Sequence, residues 1–386
     1  MRPFRTVLEQ KIRERRMTFE GFVDYAETFA REHREPGTLG VRHLQRLVAG
    51  RRSDGRPLGL VKPETARLLE HIFGVSIDEL LAPPGAAAVP VNDAAAELRQ
   101  RLDASRRIDV SVIAELQAQL ASIRRLDRQL GAVVAHDEVR TKITQVADLL
   151  THSVPNAVRE PLAGLLSELC CLAGWQALDL GRVADSWRHY DRANMAALQS
   201  DIPPFKALAA AGRGFVLVDV GETESAVDIL YCARETADRR CSRLLRSWLA
   251  AAHGETLAAN GQRDESLQAF DTASALLPDE ATNPDDPYVA LDSVHLARWR
   301  GHALARCGEP EAIDVLTGAL RHLDPTFTRA ESALRVDLAT ALVAIGEPDE
   351  ARTQIDQARD LASQIGSSRQ NMRLATLVSR MGQRRV

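Results

Sequence analysis

The chain has 386 residues, 45% of them hydrophobic but only 4% aromatic, with a formal net charge of −4. That length holds two or three domains with a real core, and the Ala-, Leu- and Arg-rich composition suits close helix packing better than a β-sandwich. No run approaches the roughly 18 uninterrupted apolar residues of a membrane span, and the first residues, MRPFRTVLEQKIRERR, lack the apolar segment of a secretory signal. Five cysteines (Cys170, Cys171, Cys232, Cys241, Cys307) make an odd set without paired spacing, as expected of reduced thiols in a cytoplasmic protein.

Charge is uneven along the chain. Residues 1–81 carry 15 Lys and Arg against 12 Asp and Glu, and the remainder carries 34 against 41. A basic head on an acidic body points to nucleic-acid contact at one end.

Residues 1–81 read as a five-helix domain. Val7, Leu8 and Ile12 give the first helix an apolar side; Thr18 caps the second, whose Phe19, Phe22, Val23 and Ala26 form a stripe at helical spacing. The segment His33 to Gly37 breaks that helix, Thr38 is the expected N-cap of a third, and Gly50 is its stop. Pro63 suits the first turn of a fourth helix with Ala66, Leu69 and Phe73 inward, ended by Gly74. Ser76-Ile77-Asp78-Glu79 has the form of a capping box opening a short fifth helix.

Two stretches, LGVRHLQRLVAGRR (Leu39 to Arg52) and TARLLEHIFGVSIDELL (Thr65 to Leu81), together with this helix order, resemble the xenobiotic-response-element type of helix-turn-helix regulators. The resemblance covers about a fifth of the chain. It departs from the family pattern where Tyr25 to Gly37 lengthens the connection between the second and third helices, and at an insertion from Ser53 to Val61. It implies that the third helix enters a major groove. With Leu39, Leu44 and Leu47 inward, Arg42, Gln45, Arg46 and Ala49 share one solvent face, and Arg and Gln are suited to reading guanine and adenine. Thr38 and His43 would meet phosphates, and Arg51, Arg52, Arg56 and Lys62 would add electrostatic grip. The alternative is a solvated basic helix in an ordinary bundle.

APPGAAAVPVND, residues 82–93, reads as a semi-extended linker. Connecting helices are expected over 94–152, with a break near Ile108-Asp109 and an amphipathic helix from Asp137 to His152. Five glycines then recur: Gly181, Gly221, Gly261, Gly308 and Gly346, at intervals of 40, 40, 47 and 38 residues. Seven residues before each stands a tiny residue (Gly174, Gly214, Gly254, Gly301, Ala339). After each come a small one (Ser186, Ala226, Ser266, Ala312, Ala351), a large apolar one (Tyr190, Leu230, Phe270, Leu316, Ile355) and an alanine. A period in this range predicts helix pairs stacked into a solenoid over 153–366, closed by a capping helix over 367–386. The spacing resembles tetratricopeptide repeats, most fully in Gly254, Gly261, Ser266, Phe270, Ala273 and Pro278.

The first helix of each unit should line a concave surface. There His295, Arg298, His302 and Arg306 form a cationic stripe suited to a peptide carboxylate or acidic side chain, with Trp175, Asp179, Phe215, Asp219 and Glu255 in comparable places. The competing reading is a solvated face with packed aromatics. No catalytic or metal-ligand spacing emerges: Cys170-Cys171 are adjacent, His295 and His302 are seven apart, and the loop from Pro278 to Pro287 lacks EF-hand spacing.

The combination is expected to be all-α and non-enzymatic, without a cofactor. The order of head and body resembles actinobacterial regulators with tetratricopeptide-like tails and peptide-responsive quorum-sensing receptors. That resemblance implies a homodimeric, cytoplasmic transcription regulator that binds double-stranded DNA and senses a peptide, small molecule or protein. The alternative is a protein-interaction scaffold whose head no longer binds DNA.

Overall fold

The computed structural model describes residues 4–33, 35–36, 38–50, 61–84, 93–237, 240–279 and 287–383, and these form helices and turns without a strand. The chain divides into two compact units, 1–99 and 100–386.

In the first unit α1 (Val7–Glu14), α2 (Phe19–His33), α3 (Val41–Ala49), α4 (Pro63–Phe73) and α5 (Ile77–Leu81) share one core. Leu8, Ile12, Phe22, Leu39, Leu44, Leu47, Leu68, Leu69 and Leu80 are buried in it. Thr6 starts α1 by accepting from Glu9 N–H at 3.2 Å, and its hydroxyl donates to Val48 O at 3.3 Å, which ties the helix start to α3. Thr18 caps α2 as expected, accepting from Gly21 N–H at 3.1 Å. Ser76 accepts from Glu79 N–H at 3.3 Å, while Glu70 of α4 takes the neighbouring Ile77 N–H at 2.8 Å.

Two expectations for this unit change. Thr38 is not the N-cap of α3: the helix begins at Val41, Gly40 is the cap residue, and no side chain caps it. Burial of Leu39 in the core is met from extended backbone before the helix instead of from its first turn. The residues that lengthen the α2–α3 connection are mostly helix, because α2 runs on to His33. Phe29 stacks on His33 at 3.9 Å and meets His71 edge-on at 5.1 Å, while Glu35 accepts from His71 at 2.9 Å. The added turns therefore dock on α4.

Helix α6 (Asp93–Ser105) runs across the division between the units and is followed by the expected break, where Asp109 caps α7 (Val110–Leu130) by accepting from Val112 N–H at 3.0 Å. α8 (Ala132–His152) begins five residues before the predicted Asp137 and pairs with α7 around Gly131. Five further pairs follow: α9 (Asn156–Asp179) with α10 (Val183–Ser200), α11 (Pro203–Val220) with α12 (Thr223–Ala237), α13 (Arg243–Ala259) with α14 (Arg263–Leu276), α15 (Ser293–Cys307) with α16 (Ala312–His322), and α17 (Thr328–Ile345) with α18 (Pro348–Gln364). α19 (Ser368–Gln383) packs on α17, α18 and α9. Helix α9 is long and apolar enough to cross a membrane, but 78% of its apolar window is buried by its neighbours, as in a core helix.

The recurring residues act through contact. The five turn glycines have φ between 74° and 89°, the left-handed region that β-carbons disfavour, and each sits between the helices of a pair. The tiny residues are notches for the large ones. A Cβ placed on Gly174 would lie 2.8 Å from the Tyr190 ring, and one on Gly254 would lie 2.8 Å from Phe270. On Gly214 it would lie 2.1 Å from Leu230, and on Gly301 2.6 Å from Leu316. The large residue thus fills its own pair; Tyr190 also reaches the next one, since Gly212 of that pair abuts it. Ser186 and Ser266 donate to the carbonyls of Gly174 and Gly254 at 2.7 and 2.8 Å, locking the same notch.

Candidate functional site

On α3, Leu44 and Leu47 are fully buried, and Arg42, Gln45 and Arg46 are exposed on the opposite side. Ala49 is half-buried. Arg46 Nε reaches back to Arg42 O at 3.3 Å, so the two guanidinium groups stand one turn apart on one face. His43 is half-buried; burial lowers its pKa, and the positive fields of Arg46 and Lys62 lower it further. Lys62 is therefore brought beside α3. Thr38 is exposed on the strand of backbone leading into the helix. Arg51, Arg52 and Arg56 lie outside the described residues.

The second unit gathers charge and aromatic rings on the inner helices. Trp175 meets Phe215 edge-on at 6.2 Å; Phe215 meets Trp248 at 5.9 Å and Trp299 at 6.0 Å; Trp248 and Trp299 are 5.9 Å apart. These four rings come from α9, α11, α13 and α15, and all are half-buried. The repeat register pointed to Trp175 and Phe215, each directly after its small residue, but not to Trp248 and Trp299. Those two precede Gly254 by six residues and Gly301 by two, so a periodic pattern passes over them.

Around the rings the charges are mostly answered from within. Arg369 of α19 makes a two-point contact with Asp219 at 2.6 and 2.8 Å and lies over Trp175 at 5.5 Å. Glu255 pairs with His302 at 2.6 Å; Asp337 pairs with Arg373 and lies 3.8 Å from His302. Burial works against the charge on Asp337, but the neighbouring His302 and Arg373 hold its carboxyl below the usual range.

The expected four-residue stripe separates accordingly. His295 is buried against Phe327 at 4.6 Å and shares Asp292 with its own helix start at 2.9 Å. His302 is ion-paired, and Arg306 is exposed in the last turn of α15. Arg298 and Arg306 have no hydrogen bond or ion pair among the described residues, and of the two Arg298 has a buried Nε without a partner. Among the described residues no cluster of three or more His, Cys, Asp or Glu is placed to hold a metal ion. Cys170 is buried, which pushes its thiol up to about 12, and Cys171 beside it is half-buried and raised further by the same cause.

The helix pairs, left-handed turns and small-residue notches define a tetratricopeptide-like α-solenoid. No family model matches the chain, and no curated protein matches it. The chain is similar to two crystal structures of a kinesin light chain-like protein from Podosopora anserina with nearly identical TPR-like repeats, one of them a single-site variant. Each is 17% identical with a TM-score of 0.34; they match 51% of this chain and 95% or 96% of their own.

Proposed function

We propose that the chain is a DNA-binding transcription regulator whose α3 reads the major groove and whose solenoid senses a ligand or protein partner. The observation that carries the reading is the division of α3. Its leucines are fully buried while Arg42, Gln45 and Arg46 project from the other side, with Lys62 close by. An arginine-glutamine face of this kind can bond base edges, and the flanking cations hold phosphates without sequence preference. One such helix covers only a half-site, so a homodimer on a two-fold operator is part of the proposal. Occupancy of the solenoid would then shift the population between DNA-competent and incompetent arrangements of the dimer.

The test is a binding assay on duplex DNA from upstream of the protein's own gene, with salt varied. Affinity should fall steeply with salt as counterions are released, and Arg42→Ala and Arg46→Ala should each weaken it by about tenfold or more. Unaltered binding by both variants would remove α3 as the reading helix. A protein-interaction scaffold is the second reading, favoured by exposed Leu126, Leu130, Val133 and Val134 around the α7–α8 corner. It prevails if no duplex binds in a salt-sensitive way.

A further inference from the structure

Three arginines of the solenoid interior differ in one respect. Arg329 is held by Asp127 and Asp179, and Arg369 by Asp219; burial works against both charges, yet their carboxylates raise both pKa values. Arg298 feels Asp337, Glu255 and Asp292 only at longer range, so burial prevails and its pKa is lowered. Its Nε has no partner, and neither has the buried Oε1 of Glu255, whose other oxygen is taken by His302. Unpaired buried polar atoms are uncommon in native proteins and mark an unfilled requirement.

The rings stand in the same region. Trp299 adjoins Arg298 on α15, and Trp248 lies two helical turns before Glu255 on α13. Arg369 links the two sets, lying over Trp175 and within the field of Glu255. Three of the chain's four tryptophans converge here. The fourth, Trp187, is covered by Arg213 at 4.5 Å.

We propose that this inner face is a binding site for a small aromatic carboxylate, its acid group on Arg298 and its ring against Trp248, Trp299 and Phe215. A carboxylate fits the planar guanidinium by two parallel hydrogen bonds and brings one negative charge to one unpaired positive charge. A phosphate would bring a further charge toward Glu255 and Asp337. The free Glu255 oxygen favours a ligand that also carries a hydrogen-bond donor. Half-buried indoles offer edges and faces to a flat ring at little entropic cost.

The inference deepens the sensing role proposed for the solenoid and is independent of DNA binding by α3. Its test uses the full chain without DNA, with para-fluorobenzoate as probe and para-fluorobenzyl alcohol as control, followed by fluorine NMR. Saturable binding of the carboxylate and not the alcohol is expected. Arg298→Met should weaken it by about tenfold or more, the loss of a charge-assisted hydrogen bond. The same variant should melt no lower than the parent, since it removes a buried charge that has no partner. No saturable binding by the parent, or equal binding by Arg298→Met, overturns the site and means that water alone meets these atoms. A lower melting temperature would also overturn it, by showing Arg298 to be a structural residue. Duplex affinity of Arg298→Met in the absence of probe should equal the parent's, so failure here and failure of the DNA reading are separable.

Discussion

Arg329 and Asp127 meet through two hydrogen bonds of 2.7 Å across 202 residues of chain, joining the last helix pair to the first. The same guanidinium lies 3.2 Å from Asp179 of α9, and Ser367, just before α19, donates to Asp179 at 2.6 Å. Gln176 donates to Asp127 at 2.8 Å and accepts from His136 at 3.2 Å. The solenoid therefore curves far enough for its C-terminal helices to touch α7 and α9, and a buried polar chain closes the contact.

Both carboxylates would lose their cation in Arg329→Met. Leaving buried charges uncompensated typically costs about 3–5 kcal/mol, well above the worth of a surface pair. Urea denaturation should show that loss, and Asp127→Asn should cost less because Asp179 still answers Arg329. Equal stability of Arg329→Met and the parent would mean that the closing contact is not populated in solution.

Two turn glycines with similar φ should respond differently to alanine. At Gly261, φ is 76° and open space surrounds the missing Cβ, so only the left-handed penalty of about 1–2 kcal/mol applies. At Gly131, φ is 82° and a Cβ would fall 2.3 Å from the backbone oxygen of Ile365. Gly131→Ala should therefore be clearly the more destabilising in thermal melts. Similar shifts for both would show that α7–α8 and the segment before α19 are not apposed.

Gly254→Ala is a test of sign. Helix propensity alone favours alanine by about 1 kcal/mol. The notch predicts the opposite, because the Phe270 ring is 1% exposed and cannot yield, and overpacking costs about 1–3 kcal/mol. Net destabilisation is expected, and the cycle with Phe270→Leu should show a coupling of at least about 0.5 kcal/mol. Additive effects would contradict the contact.

Acid should weaken the second unit through its neutral histidines. His189 packs edge-on to His136 at 5.9 Å; burial, then the field of His136, lowers its pKa to about 4. His253 is likewise lowered to about 4, by burial and then by Arg234, which donates to it at 2.8 Å. Below about pH 6.5 the unfolded chain takes up protons that the folded chain refuses, so stability falls from there toward pH 4. His189→Gln should flatten part of that slope in denaturation midpoints measured at several pH values. An identical slope in the variant would show that His189 titrates normally.

Much of the fold is legible in the sequence. Apolar spacing, Thr18, Ser76 and Pro63 place the helices of the head because capping and amphipathicity act within a few residues. The glycine period gives the helix pairs for the same reason, since each notch and its filler lie within one unit. α3 could be divided into buried and exposed faces from spacing alone. Its start could not, because the depth at which Leu39 must sit depends on helices packed from elsewhere.

The interior was legible only in part. Trp175, Asp179, Phe215, Asp219 and Glu255 follow the repeat register, and a local pattern finds them. Their partners do not: Trp248 and Trp299 are out of register, and Arg329, Asp337, Arg369 and Arg373 come from the far end of the chain. The sequence by itself determined an all-helical chain with a basic helix at one end and stacked pairs at the other, through interactions short in sequence. Only the tertiary structure decided that the pairs return upon themselves, and that closure is what brings Arg329 to Asp127 and Arg369 to Asp219. Small rotations between successive pairs accumulate into that return, and no single repeat encodes their sum.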